Sequence, residues 1–402
     1  MDTVSGAAGS GAAGAVAGID DRAPTDRIEQ FFAENPALQT PYLVIDLDVV
    51  RDRYLRLRKA LARPDIYYAV KANPEPLVVR TLADLGSRFD VASIGEIDRC
   101  LDVGIDASAL SFGNTIKREH DIAIAVERGV TAFAVDCDEE LAKLLRQTKS
   151  CTALVRLATE TCDAEWPLGN KFGCLQPQAE RLLMRAADNG LDVGVSFHVG
   201  SQQRDLHAWD APVATVATLA ESLARRGHRL GTVNLGGGLP GSHLRATAPI
   251  EQYGVAIEQA IARHLGGLDA HYMVEPGRYL VSDAGVIRSE ALLVTYKPSD
   301  HGRRWVFLDV GRLNGLAETQ DEAIRYRMRC PRASGEPVPS VVAGPSCDSM
   351  DVMYERELYP LPSDLAAGDY VDVLSTGAYT ASYSSVWFSG LEPLRSYCLP
   401  VQ

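Results

Sequence analysis

Lys71 closes the apolar run Ile66-Tyr-Tyr-Ala-Val70. A lysine at the end of a buried strand, desolvated and near other cations, loses its proton more readily and can attack a carbonyl carbon. Taken singly, such a lysine is more often a solvated strand end. Other positions change the balance: Asp90 within an apolar run at 88–92, Arg156 within 153–157 and His198 within 193–199. Gly236-Gly-Gly238 follows another run, and Glu275-Pro-Gly-Arg278 closes the next. A glycine run lets a phosphate approach the backbone, Arg278 adds a charge for it, and Glu275 adds a carboxylate at the same rim. Each has a bland counterpart, since a glycine triplet usually marks a turn and a histidine in an apolar run is usually a hydrogen-bonded core residue. Together, an amine for an aldehyde, a phosphate cradle and a carboxylate for a pyridinium nitrogen describe one cofactor, pyridoxal 5′-phosphate. His198 could then stack on the cofactor ring.

These residues need elements that bring their ends together. Short apolar runs lie at 66–70, 88–92, 109–112, 131–135, 153–157, 193–199, 232–235 and 272–275. Helical patterns separate them at 74–85, 95–103, 119–128, 139–145, 176–189, 213–226 and 250–265, with Gly86, Gly104, Gly129, Gly190 and Gly266 at the expected C-caps. Eight strand–helix units over about 210 residues predict an α/β fold, a (β/α)8 barrel of the TIM type, whose strand C-termini form the site. A doubly wound sheet fits less well, because it usually has fewer strands and a phosphate loop after the first. After Gly285 strand-like runs at 286–293, 305–309, 338–343, 369–374 and 382–388 follow without long helices, which predicts a C-terminal β domain. The domains expected are an Ala/Gly-rich disordered tail at 1–25, a helix and strand at 26–47, the barrel at 48–282 and the β domain at 283–402. The 41–47 strand could pair with the barrel or join the β domain.

Composition narrows the partners. The 402 residues carry 40 Lys and Arg against 53 Asp and Glu, a net charge of −13 without a basic run, which disfavours nucleic acid and anionic membranes. No apolar stretch approaches the ~18 residues of a membrane span, and the N-terminus lacks the features of a signal peptide. The eight cysteines, Cys162 among them, are scattered without a C-x-x-C pair. They predict neither a disulfide scaffold nor a metal site, and a reducing cytoplasm is the expected location.

The chain resembles the alanine-racemase-like, fold-type III pyridoxal-phosphate decarboxylases, specifically the ornithine/lysine decarboxylase branch. The resemblance rests on ordered motifs from about residue 40 to the C-terminus. They are Tyr68-Ala-Val-Lys-Ala-Asn-Pro74, Phe89-Asp-Val-Ala-Ser93 with Glu96, Lys171-Phe-Gly173 and Phe197-His-Val-Gly-Ser-Gln202. Asn234-Leu-Gly-Gly-Gly238, Glu275-Pro-Gly-Arg278, Gly344-Pro-Ser-Cys-Asp-Ser349 and Gly377-Ala-Tyr-Thr380 complete the set. It implies a head-to-tail homodimer with two sites at the subunit interface. Lys71 would carry the cofactor, with Ser201, Gly238, Glu275, Gly277, Arg278 and Tyr379 holding it and His198 on its ring. Asp90, Glu96 and Arg156 fall where the family supports the cofactor, and equally fit structural polar residues. Cys347 of the partner subunit would return a proton to the substrate carbon after CO2 leaves; its bland counterpart is a small buried hydrophobe.

The same resemblance bears on substrate. Asp348 stands where the family contacts a distal ammonium, and where diaminopimelate decarboxylases carry glutamate in a Cys-Glu-Ser sequence. Cys347-Asp-Ser349 therefore points to ornithine or lysine and a diamine product. In Glu318-Thr-Gln-Asp-Glu-Ala-Ile-Arg-Tyr326, Asp321 or Glu322 is expected to assist, though both also fit a solvated turn. Departures from the branch are Arg312-Leu-Asn314, Tyr279 and Val386-Trp-Phe-Ser-Gly390, where Trp387 could reshape the pocket. They keep open a modified basic amino acid in a specialised pathway. A racemase, or a non-catalytic regulator like the antizyme inhibitors, are the other readings.

Overall fold

The computed structural model describes residues 24–159, 163–166 and 171–402. The expected tail lies outside these residues up to position 23, as does Cys162. Its last two residues belong to the fold: Pro24 is buried, and Thr25 caps the helix Asp26–Glu34 by accepting the Ile28 N–H.

Strand β1 (Tyr42–Asp46) precedes a closed parallel barrel. The barrel strands are β2 (Asp65–Ala69), β3 (Arg88–Val91), β4 (Leu110–Phe112), β5 (Ala132–Val135) and β6 (Thr152–Arg156), then, after the short β7 (Ala164–Trp166), β8 (Asp192–Ser196). After β9 (Ser201–Gln203), which pairs with β7, come β10 (Thr232–Asn234) and β11 (His271–Val274), and β11 pairs with β2 to close the ring. These strands read as unbroken apolar runs because side chains cover both faces. Phe89, Val91, Phe133, Val135, Val155 and Val195 are all fully buried.

The remaining strands are β12 (Gly285–Lys297), β13 (Arg303–Leu308), β14 (Met328–Arg329), β15 (Pro337–Ala343), β16 (Val352–Pro362), β17 (Tyr370–Leu374) and β18 (Arg395–Leu399). They form one sheet in the order β14-β17-β12-β13-β15-β16. β1 joins that sheet rather than the barrel, antiparallel to β12 and parallel to β18. β13 shows the alternation of a half-buried strand, with Arg304, Val306 and Leu308 inward.

Some expectations need correction. Leu47 begins a helix, Leu47–Ala60, instead of ending a strand; Asp46 caps it by accepting the Asp48 N–H, and it buries Leu47, Val50, Tyr54 and Leu57 at helical spacing. Residues 382–388 are not a strand. Two short 3-10 turns, Ala381–Tyr383 and Phe388–Gly390, occupy the region, Trp387 is left-handed at φ 62°, and the Ser385 N–H goes to Leu313 O. β16 is hidden in the sequence because Glu355-Arg-Glu357 and two prolines interrupt its pattern. It is an edge strand, where proline removes no ladder bond. Gly266 follows its helix without turning left-handed, whereas the other four expected C-cap glycines do so.

The N-terminal helix is held to the sheet by Ile28 and Phe32 packing on Tyr42, Val44, Val286 and Leu374. Beside them Arg288 lies 3.5 Å over the Phe32 ring and forms a two-pronged pair with Asp372 at 2.8 and 3.0 Å. Asp372 is fully buried and also accepts from Arg329. Asp372→Ala is expected to lose about 3–5 kcal/mol of stability, since it strands a buried guanidinium. A urea unfolding curve checks this; a loss below about 1 kcal/mol, typical of a surface pair, would contradict it.

Candidate active site

A cavity of about 310 Å³ opens at the C-terminal mouth of the barrel. Its wall includes Lys71 just past β2, Asp90 in β3, Arg156 at the end of β6, His198 after β8, and Glu275, Gly277 and Arg278 after β11. Ser201 and Gly238 line it from neighbouring strand ends, and Glu318, Tyr379 and Tyr383 from the C-terminal half. Three cationic and three acidic side chains thus face one space.

Backbone bonds between the two halves fix Lys71. Tyr379 N–H donates to Ala72 O at 2.8 Å, Asn73 Nδ2 to Gly377 O at 2.8 Å, and Ser382 Oγ to Lys71 O at 3.1 Å. Tyr379 adopts a left-handed φ of 55°, which costs a non-glycine residue about 1–2 kcal/mol and which these bonds hold in place. Lys71 Nζ lies 3.3 Å from Asp90 Oδ2. Burial lowers the lysine pKa, but Asp90, Tyr379 and Glu275 more than reverse this, so the amine is held protonated beside an acid that can take its proton. Gly113 makes room for that acid: a Cβ there would stand 2.0 Å from Asp90 Oδ1.

Glu275 receives a hydrogen bond from Asn234 Nδ2. Its carboxyl is pushed up to about 7 by burial and by the charge of Asp90, against the pull of Lys71, Asn234 and Arg156. His198 Nδ1 accepts the Gly200 N–H at 3.0 Å, and burial, Arg156 and Lys71 keep its ring neutral. Arg156 stacks 5.0 Å over Phe172. Gly238, at φ 112°, passes so close to Gly200 O that a Cβ would meet it at 2.7 Å. Arg278 binds Glu318 through both terminal nitrogens at 2.8 and 2.6 Å, Ser201 Oγ at 3.1 and 3.3 Å, and the Tyr379 ring at 4.9 Å.

Not every expected residue reaches this wall. Glu96 caps the helix Ile94–Asp102: its N–H donates to Ser93 Oγ and its carboxylate accepts the Ala92 N–H at 2.7 Å, outside the cavity lining. Asp321 and Glu322 turn away. Asp321 pairs with Arg356 at the surface, and Glu322 accepts the N–H groups of Glu355, Arg356 and Glu357 and pairs with Arg325. The acid that this segment does deliver to the cavity is Glu318, together with Trp166, Asn114 and Phe172 a residue that spacing does not single out. Cys347 and Asp348 stand outside their own chain's cavity. Cys347 is exposed, with Sγ 4.0 Å from Ser389 Oγ, and Asp348 Oδ1 accepts the Met350 N–H. Trp387 is also outside the lining and 64% exposed.

The residues present fit pyridoxal phosphate. The volume suits a small cofactor. Glu275, costly to ionise where it is, gains a partner in a protonated pyridine nitrogen. Arg278, Ser201 and the close-packed glycine Gly238 would offer a phosphate a charge, a hydroxyl and open backbone, and Lys71 and Asp90 line the same cavity.

Glu275 also sets a pH dependence. Its folded value, about 7, lies above its ordinary 4.5. The stability it contributes is therefore complete below the lower value and lost as pH rises through the higher. Cofactor-free protein is expected to lose thermal stability through this group as pH rises from 4.5 to about 7. Glu275→Gln should flatten that stretch in a series of melting curves; an unchanged slope would assign it to other groups.

Comparison with known proteins agrees with this geometry. A family model described as pyridoxal-dependent decarboxylase, pyridoxal binding domain, matches residues 47–282. A lysine/ornithine decarboxylase of Selenomonas ruminantium is 32% identical over 359 residues, covering 88% of each chain. Antizyme inhibitor 2 of Xenopus laevis is 31% identical over 374 residues, 89% of this chain and 81% of that one. The crystal structure of a lysine/ornithine decarboxylase from Vibrio vulnificus complexed with putrescine superposes with a TM-score of 0.82 at 31% identity, covering 93% of this chain and 98% of the other. The chain belongs to the pyridoxal-dependent decarboxylases of fold-type III, and pyridoxal 5′-phosphate is its cofactor.

Proposed function

We propose that this enzyme decarboxylates ornithine or lysine to the corresponding diamine and CO2. The observation that carries the reading is one cavity joining Lys71–Asp90, Glu275–Asn234 and Arg278–Ser201. When bound, the cofactor supplies an electron sink for the pair left on the α-carbon as CO2 departs. Lys71 is assigned to hold its aldehyde carbon, with Asp90 keeping the amine's proton at hand. Ser201, Gly238, Gly277, Arg278 and Tyr379 are assigned to the phosphate, Glu275 to the ring nitrogen and neutral His198 to the ring face. Arg156 balances Glu275 and Asp90 across the cavity.

The proton for the product carbon is assigned to Cys347 of the partner subunit, and the distal substrate ammonium to Asp348 of the partner subunit. Support for a homodimer comes from the exposed apolar side chains of two segments that meet at Cys347 and Ser389: Met350 on one, and Tyr383, Val386 and Trp387 on the other, are all more than half exposed. A second copy would cover these side chains. The seven described cysteines are free, in keeping with a reducing cytoplasm. A regulator without catalysis is disfavoured because Lys71, Glu275, Arg278 and Tyr379 all stand in the cavity.

The test is CO2 release from ornithine, lysine, arginine and diaminopimelate, with the amine identified. Putrescine or cadaverine is the expected product; release from neither ornithine nor lysine sinks the reading. Asp348→Ala should cost the best substrate about 2–5 kcal/mol in kcat/KM, because the ammonium then stays desolvated and unpaired. It should leave the cofactor absorbance unchanged. Mixed Lys71→Ala and Cys347→Ala proteins, each inactive alone, should regain roughly one quarter of the parental activity by forming hybrids with one intact site. With subunit exchange verified, continued inactivity would exclude a shared site.

A further inference from the structure

Glu318 lies in the cavity wall with both carboxylate oxygens already engaged. Its side chain is 5% exposed and that of Arg278 is 3% exposed, so both charges are largely withdrawn from solvent. Arg278 Nη1 donates to Glu318 Oε2 at 2.8 Å and Nη2 to Oε1 at 2.6 Å, a parallel fork. The other edge of the guanidinium, Nε and Nη2, meets the neutral Ser201 hydroxyl at 3.3 and 3.1 Å, its one hydrogen-bond partner among the described residues. Glu318 cannot easily swing away. Its turn is fixed by Thr319 Oγ1 on Leu316 O at 2.7 Å and by the Ile324 N–H on Glu318 O at 3.0 Å.

We propose that Glu318 is the resident counter-ion of Arg278: it holds the Nη1/Nη2 edge, aims the Nε/Nη2 edge at the cofactor phosphate, and opposes that phosphate with its own charge. It is thus a positioning residue, not a substrate ligand, and a carboxylate so engaged has little to offer a distal ammonium. This rests on the assignment of Arg278 to the phosphate. Two consequences follow from the two parts of the role. The pair makes the protein foldable without cofactor, because Arg278 would otherwise be a buried, unpaired charge. It also weakens phosphate binding, because two anions then share one guanidinium.

Cofactor-free protein, titrated with pyridoxal phosphate and with inorganic phosphate, separates these effects. Glu318→Gln keeps a hydrogen bond to Arg278 and removes the charge. It is expected to bind pyridoxal phosphate about tenfold more tightly, as the loss of one partly screened repulsion, while its cofactor-free melting temperature falls. Glu318→Ala removes the hydrogen bond as well and should bind more weakly than Glu318→Gln. Unchanged or weaker binding by Glu318→Gln overturns the proposal, and a higher KM for the amino acid with cofactor affinity unmoved would make Glu318 a substrate contact instead. Equal tightening in both variants overturns the positioning part. The double variant Arg278→Met with Glu318→Gln tests the underlying assignment: if it binds both ligands as the parent does, the phosphate is not held by Arg278 and the proposal falls with that assignment. Phosphate affinity should follow the same order.

Discussion

Three cationic and three acidic side chains face one space at the barrel mouth, and three of them, Asp90, Arg278 and Glu318, are buried. A buried charge is retained only when an opposite charge and hydrogen bonds replace the water it gave up. Lys71 has Asp90 and Arg278 has Glu318, while Arg156 is within electrostatic reach of Glu275 and Asp90. Each comes from a different stretch of chain. Neutrality at this one point therefore requires β2, β3, β6 and β11 to end at the same level, which a closed parallel barrel achieves.

The requirement extends beyond the barrel. Glu318 and Tyr379 belong to the second half of the chain, so the sheet must sit where its loops reach the barrel mouth. Three ties at Lys71, Ala72 and Asn73 do this locally. At longer range, β1 precedes the barrel in sequence but pairs with β12 and β18, so the sheet receives strands from both ends of the chain. Lys71 therefore stands on a backbone hydrogen-bonded to the second half of the chain.

Much of this is legible in the amino-acid sequence. The barrel strands announce themselves as apolar runs because both their faces are covered, and the site residues of the barrel sit at the ends of those runs. What the sequence obscures is of two kinds. β16, with its charges and prolines, has the composition of a loop because it is an edge. The acids near the site are harder: Asp321 and Glu322 look equivalent to Glu318 in a segment of mixed polarity. Their difference lies in the backbone, since Asp321 and Glu322 take left-handed φ values of 54° and 59° that direct them to Arg356 and to the N–H groups of β16. No spacing rule anticipates such a reversal. Glu96 is ambiguous for a related reason, because a helix-capping glutamate and a site glutamate occupy the same position after a strand.

Where, then, would a substrate's far ammonium find its partner? Within one chain each acid of the cavity has a partner, Asp90 with Lys71 through Oδ2, Glu275 with Asn234 and Glu318 with Arg278 through both oxygens, while Asp90 Oδ1 is buried without a hydrogen bond. Asp321 and Glu322 are bound elsewhere. A diamine-forming substrate entering this cavity would carry a positive charge into a space whose carboxylates are already balanced, and its desolvation would go uncompensated. On the proposed reading the acid would come from outside the chain's own cavity wall. Asp348, on an exposed loop beside Cys347 and bordered by uncovered apolar side chains, has the chemistry and the position to be presented to another copy. Substrate recognition and proton return would then belong to the assembly, while one chain alone suffices to hold the cofactor. On that division the cofactor would be held within one chain, by the barrel together with Tyr379 and Glu318 of the second half, and specificity would lie with a loop outside the cavity wall.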